Sequence, residues 1–317
     1  MPVQVAVLDD YQEVARRFAP WEELGTDIEL TVFHDHISND GVLRDLLCDF
    51  EVIVAMRERT PFTGARLASL PNLKLLVTTG MVNASIDMGA ARALGVIVCG
   101  TGGLLSPTAE LTWGLIIAMS RNILEEDRRV REGGWQRTIG PELAGRTLGI
   151  LGLGRLGQRV ARVAQAFEMP VIAWSQNLRR GDAGAAGVEA VERDELFLRS
   201  DVLTIHTQLS ERTRGLVGAR ELELMKPTAL LVNTSRGPIV DEKALLDALH
   251  RGAIAGAALD VYDKEPLPAD HPLRAAPRTL LTPHLGYVTH GTYEVYFREA
   301  VEDIAAFLAG DPVRVLN

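Results

Sequence analysis

Two groups of residues in the sequence have the types and spacing to do chemistry. The first is Gly152-Leu-Gly154-Arg155-Leu156-Gly157, a GxGxxG. It follows the apolar run 147–151 and opens a helix-periodic stretch through Val160, Ala161, Val163 and Ala164. That strand–turn–helix context is the one in which the pattern binds a dinucleotide. Gly152 permits the tight turn, Gly154 lets a pyrophosphate approach the backbone, and Gly157 lets helix and strand pack closely. The helix N-terminus then offers free N–H groups and a positive dipole to the phosphates. The competing reading is a glycine-rich turn with no ligand. The second group is Arg236, Asp260, Glu265 and His284, each just past an apolar run. Singly they read as a loop cation, a helix cap, a surface acid and a loop histidine. Jointly, at successive strand ends, they read as a site beside a dinucleotide, because the carboxyl ends of strands in an open α/β sheet face the ligand crevice.

The elements that must position them are legible as runs of Val, Ile and Leu without polar alternation, the mark of strands buried on both faces of a parallel sheet. In residues 1–100 the runs are 3–8, 28–33, 52–55, 73–77 and 96–98. After a glycine cluster at 100–103, Ser106-Pro107 opens an apolar helix to about Ser120, with serine as N-cap and proline in the first turn. Six further runs follow: 148–151, 171–174, 202–205, 229–232, 255–259 and 279–281. Six strands alternating with helices fit a complete dinucleotide-binding sheet. A last helix, about 292–308, is expected to return to the first lobe. The fold class is therefore α/β, with two doubly wound parallel-sheet domains and a cleft between them. The expected boundaries are 1–101 plus 287–317 for one domain and 102–286 for the other.

The fingerprint also expects an acid about 20 residues on, for the ribose 2′-hydroxyl. Ser175-Gln176-Asn177 stands there instead. Without an acid nothing repels a 2′-phosphate, and Arg179 and Arg180 are placed to attract one. Alternatively Ser175 or Asn177 bonds an unphosphorylated ribose and the arginines face solvent. The expected cofactor is thus NAD or NADP, with no metal. His34-Asp-His36 lacks a third ligand at useful spacing and reads as a surface turn. Cys99 reads as a small buried hydrophobe.

With these residues in place, the chain resembles the D-isomer-specific 2-hydroxyacid dehydrogenase family, in its glyoxylate or hydroxypyruvate reductase-like members. The matching stretches are 148–161, 225–237, 258–266 and 282–286, with weaker matches at 73–87 and 106–113. The resemblance implies two doubly wound lobes, flavodoxin-like for substrate and Rossmann for cofactor, with the active site between them. It implies hydride transfer between NAD(P)(H) and a small D-2-hydroxy acid or its 2-keto acid. Arg236 then clamps the substrate's carboxylate and keto oxygen, His284 is the general acid/base, and Glu265 bonds the imidazole. Asp260 resembles the family aspartate that holds the nicotinamide carboxamide. His206 borders the adenine, and Arg155, Leu156, Ser175, Gln176, Thr234 and Gly286 complete the cofactor contacts. Arg57, Met81 and Val82 join the substrate side, with Met56, Leu104, Leu105 and Tyr287 as further pocket walls. Two departures stand out: Val82 where the family has a second glycine, and Gln208 where it has proline. The rivals are phosphite or formate oxidation on the same fold, and a nucleotide-sensing scaffold of the corepressor type.

Composition bounds these readings. The 317 residues carry 33 Lys and Arg against 42 Asp and Glu, a net charge of −9, which argues against a nucleic-acid partner. No apolar run approaches the ~20 residues of a membrane span, and the start has no signal-peptide pattern. Two cysteines make a disulfide framework unexpected. A cytoplasmic homodimer acting on a small anionic acid is the expectation.

Overall fold

Short runs of branched aliphatic side chains become strands here; both faces are covered in the middle of each sheet, while the edge strands, such as Ile28–Val32 with Glu29 exposed, are only partly buried. The computed structural model describes residues 2–317. They divide into two units, residues 2–104 with 288–317, and Leu105–Tyr287. In the first unit, β1 (Val3–Val7), β2 (Ile28–Val32), β3 (Val52–Ala55), β4 (Leu75–Thr78) and β5 (Ile97–Gly100) form a parallel sheet in the order β2-β1-β3-β4-β5. Every residue of β3 and β4 is buried. The helix Asp40–Leu47 turns Leu43 and Leu47 into this core and is capped by Asn39, whose side chain accepts from the Val42 amide. The helix His290–Leu308, capped by Thr289, belongs to the same unit and buries Tyr293, Tyr296, Phe297, Ala300 and Ile304.

The second unit holds β6 (Leu148–Leu151), β7 (Val171–Trp174), β8 (Glu189–Ala190), β9 (Val202–Ile205), β10 (Leu230–Asn233), β11 (Gly256–Leu259) and β12 (Thr279–Leu281). All pairs are parallel, in the order β12-β11-β10-β9-β6-β7-β8. Alternate residues feed two cores. Ile150 and Val202 point to the one built on Trp113, Ile116 and Val160; Leu151 and Leu203 point to the one built on Phe197, Leu222 and Leu249. The order reverses between β6 and β9, so the switch point, where open sheets bind ligands, lies at their carboxyl ends.

The sheet has seven strands where six were expected. The added strand, β8, is two residues at the edge, too short to show an apolar run. The helix Ser106–Ser120 is present, but its N-cap is Leu105, not Ser106. Leu105 already has helical angles, which moves serine inside the first turn and leaves the cap without a side-chain bond. The final helix begins two residues before the expected 292. Among the described residues, no helix is long and apolar enough to cross a membrane.

Candidate active site

The Gly152 turn lies at the switch point of the second sheet. Gly152 has φ +103, and a Cβ there would stand 2.7 Å from Thr207 N and 2.8 Å from His206 C, so the loops after β6 and β9 touch through glycine. A Cβ on Gly157 would meet the Gly152 carbonyl at 2.3 Å, which is why strand and helix pack without a spacer. Gly154 is different. Nothing lies within 4 Å of its would-be Cβ, it is exposed, and it caps the helix Arg155–Ala166 with no side-chain bond. An open backbone at an uncapped helix N-terminus fits a pyrophosphate. Arg155 is exposed beside it and Leu156 half-buried.

At the end of β7, Ser175 and Gln176 line a cavity of about 190 Å³ with Trp174, Leu178, Arg180 and Glu192. Of the two arginines singled out by sequence, Arg180 lines it. Glu192 escaped the sequence reading because it follows the unrecognised β8. On the other flank, burial pushes the His206 imidazole down to about 3, so it is neutral. Its Nε2 bonds Thr204 Oγ1 at 2.9 Å, and its buried Nδ1 has no partner among the described residues.

The loops after β10, β11 and β12 carry the remaining residues. Arg236 is half-buried; its Nη1 donates to the Ser235 carbonyl at 2.6 Å, and Asn233 Nδ2 donates to the Arg236 carbonyl at 3.0 Å. A Cβ on the next residue, Gly237, would lie 2.1 Å from Tyr262 C, so this loop touches the one after β11. Thr234 is buried, its hydroxyl 2.9 Å from that of Thr112 on the helix Ser106–Ser120.

His284 and Glu265 meet directly, Nδ1 to Oε2 at 2.6 Å, with 15% and 27% of the side chains exposed. A carboxylate has no proton to give, so Nδ1 carries the hydrogen and Nε2 is the nitrogen left for proton exchange. Glu265 is itself aimed: its Oε1 accepts from the Tyr262 amide at 2.9 Å. The Tyr262 hydroxyl donates to the carbonyls of Leu259 and Thr282, tying the two loops, and burial pushes its pKa upward. Tyr287 stacks edge-on against the His284 ring at 5.4 Å.

Asp260 is fully buried, and its carboxylate holds the histidine loop. It accepts from Thr282 Oγ1 at 2.6 Å, Leu285 N at 2.8 Å and Gly286 N at 2.9 Å. Burial raises its pKa, with those donors acting against the rise. Three of a carboxylate's roughly four acceptor sites are thus used within the protein. Thr108 Oγ1 donates to the Gly286 carbonyl at 2.8 Å, so the loop is held from both sides. Thr108 and Thr112 were missed by sequence reasoning; their partners lie 178 and 122 residues away.

In the first unit, Arg57, Met81 and Val82 sit just past β3 and β4, the last two exposed. Met56, expected as a pocket wall, is 1% exposed and packs beneath Thr79, whose hydroxyl lies 3.4 Å from its sulfur. As the first residue past β3 it continues the buried side of that strand. Cys99 is fully buried and burial pushes its thiol up to about 12. The His34-Asp-His36 segment is tied inward: His36 Nδ1 meets the buried Asp9 carboxylate at 3.0 Å. Among the described residues no three His, Cys, Asp or Glu side chains gather as a metal site.

A glycine turn at a sheet's switch point, with arginine, a carboxylate–imidazole pair and a buried aspartate on the neighbouring strand ends, defines a dinucleotide-binding α/β protein with an acid/base site. Comparison with known proteins narrows this. Residues 113–286 match the D-isomer specific 2-hydroxyacid dehydrogenase, NAD binding domain. A glyoxylate reductase of Aeropyrum pernix is 42% identical over 262 residues, 79% of this chain and 78% of that one. The crystal structure of a phosphoglycerate oxidoreductase from Vibrio cholerae superposes with a TM-score of 0.92 at 40% identity, covering 97% of this chain and 99% of that one. D-lactate dehydrogenase from Aquifex aeolicus, complexed with NAD and lactic acid, gives 0.81 at 27% identity, covering 97% and 96%. The chain belongs to the D-isomer specific 2-hydroxyacid dehydrogenase family.

Proposed function

We propose that this protein reduces small 2-keto acids of the glyoxylate or hydroxypyruvate type to D-2-hydroxy acids. It is an NAD-linked oxidoreductase acting on CH–OH donors, the chemistry of its family. The 2.6 Å contact between His284 and Glu265 carries the reading: it leaves one imidazole nitrogen able to exchange a proton, and the loop that carries Arg236, whose guanidinium suits a planar anion, touches the loop that carries Glu265 through Gly237.

Residues 102–286 bind the cofactor and residues 1–101 with 287–317 serve the substrate. Gly152, Gly154, Arg155, Leu156 and Gly157 hold the pyrophosphate. Ser175 and Gln176 meet the adenosine ribose, and His206, Thr234 and Gly286 complete the contacts. When bound, the nicotinamide cofactor gives or takes the hydride. Arg236 grips the carboxylate and carbonyl oxygen of the keto acid, with Arg57, Met81 and Val82 on the substrate side. His284 passes a proton from Nε2 to the carbonyl oxygen in reduction and recovers it in oxidation, while Glu265 holds Nδ1. Asp260 chiefly fixes the 282–286 loop. A carboxamide contact of the kind the resemblance implies is left only its one remaining acceptor site.

NADP is accepted as well as NAD, supported by Ser175 in place of an acid and by Arg180 on the same cavity. Glu192, on that cavity too, works against a strong NADP preference. The protein acts in the cytoplasm, in keeping with two free cysteines, and as a homodimer. The dimer is supported by apolar side chains in residues 123–139: Ile123, Leu124, Val130, Trp135 at 74% exposure and Ile139 at 98%. A cavity of about 1040 Å³ lies beside them at the amino ends of β9, β10 and β12, away from the chemistry. The scaffold alternative gains nothing from relatives named as reductases and dehydrogenases. The test is oxidation of NADH and NADPH with a 2-keto acid panel. Cofactor binding without turnover of any keto acid would sink the reading.

A further inference from the structure

We infer that Asn83 is a positioning residue for Arg57, fixing from the loop after β4 the direction in which that guanidinium meets the substrate. The inference rests on the substrate role proposed for Arg57.

Arg57 has φ +51, a region that L side chains rarely adopt. Such a residue persists where its surroundings hold it, and these conformations gather at ligand sites. Here both of its backbone polar groups are held by side chains of the neighbouring loop. Its N–H donates to Thr79 Oγ1 at 2.9 Å, and its carbonyl accepts from Asn83 Nδ2 at 2.7 Å. Its guanidinium bends back over the same loop, with Nη1 donating to the Thr79 carbonyl at 3.1 Å. Gly80 makes room for this: a Cβ there would lie 1.7 Å from Arg57 Nη1. The Glu58 carboxylate stands 3.6 Å from Nε.

Asn83 is suited to the task by its two-ended amide. It is buried, and its Nδ2 also donates to Thr78 Oγ1 at 2.8 Å, while Oδ1 accepts from the Ser85 amide at 2.9 Å. Aspartate fits the space and the Ser85 contact but brings no donor to the Arg57 carbonyl. Alanine brings neither group. No other residue type of this size supplies a donor pair and an acceptor at once.

The test is a double-mutant cycle read by steady-state kinetics with glyoxylate or hydroxypyruvate and NADH. Asn83→Ala should lower kcat/KM by roughly 5–50-fold, mainly through KM. In an Arg57→Ala background the same change should cost less than about twofold, because its effect passes through Arg57. A purely structural role for Asn83 gives equal losses in both backgrounds, which overturns the inference. Asn83→Asp keeps the fold should alanine lose it, and its crystal structure gives a readout free of turnover. There Arg57 should leave the left-handed region and its guanidinium should move; an unmoved Arg57 overturns the inference. A wild-type enzyme inactive on every keto acid would fail the proposed function alone, and the crystal structure would then decide for Asn83.

Discussion

In the mechanism proposed above, the hydrogen on His284 Nδ1 is committed to Glu265, and the proton for substrate passes through Nε2. His284→Ala should therefore lower kcat by roughly 10²–10⁴-fold, the usual cost of a lost general acid. Glu265→Gln keeps a hydrogen-bonding group but not the charge and should lose less, with KM for the keto acid nearly unchanged. Stopped-flow rates of NADH oxidation rank the two; a larger loss for Gln than for Ala would mean that Glu265 has another part. His284 and Glu265 could be singled out because a scarce histidine and an acid stand past successive strand ends. What surrounds them could not. Asp260 could be found by position, but its grip on Leu285 and Gly286 depends on backbone amides, which no residue type reveals. Asn83 falls in the stretch 73–87 that carries the resemblance, but its side-chain bond to the carbonyl of Arg57, 26 positions earlier, shows only in the structure.

Among elements, the βα turn of the second sheet separates two uses of glycine. Gly157 is filled against by the Gly152 carbonyl, whereas Gly154 faces open space. Gly154→Ala should cost no more than about 1 kcal/mol of stability, the difference at an exposed helix cap, yet weaken NADH binding. Gly157→Ala should lower both the melting temperature and the affinity, since helix and strand must part. Calorimetry and fluorescence titration of NADH check the pair; equal melting temperatures would mean that the helix yields freely. At the end of β7, Ser175→Asp should weaken NADPH use more than NADH use in kcat/KM, and equal effects would place the ribose elsewhere. The central aliphatic strands were readable because burial on both faces leaves a compositional trace. β8 left none, and with it went Glu192. The helix Ser106–Ser120 was readable, but its supporting hydroxyls at Thr108 and Thr112 were not, because an apolar helix hides which side its few polar atoms face.

For the whole molecule, association and stability against pH are the measurable properties. The exposed Leu124, Trp135 and Ile139 predict a dimer at micromolar concentration by light scattering; a monomer would leave that surface without an explanation. Asp303 is fully buried, and burial pushes its pKa up from 3.8 to about 7 although Arg314 Nε lies 2.9 Å away. Its Oδ2 has no partner among the described residues. The folded chain therefore holds this proton more tightly than the unfolded one. The stability it contributes is complete below about pH 3.8 and declines as pH rises toward 7. Asp303→Asn should flatten this part of a melting-temperature series from pH 4 to 8. An unchanged slope would show that other groups set it.

The discontinuity of the first unit bears on how the chain comes into being. Residues 2–104 leave the ribosome before the far end that completes their unit. The helix His290–Leu308 covers their sheet, Leu316 N bonds the Val98 carbonyl at 2.8 Å, and Gly100 N bonds that of Arg314 at 3.1 Å. The uninterrupted unit, Leu105–Tyr287, is complete some thirty residues sooner. Domains made during synthesis ordinarily fold from the N-terminus onward. This topology predicts the reverse order: the unit Leu105–Tyr287 can close while the first hundred residues still lack the helix His290–Leu308. A ribosome-arrested chain released up to residue 300 should already resist protease across 105–287 while remaining cleavable within 2–104.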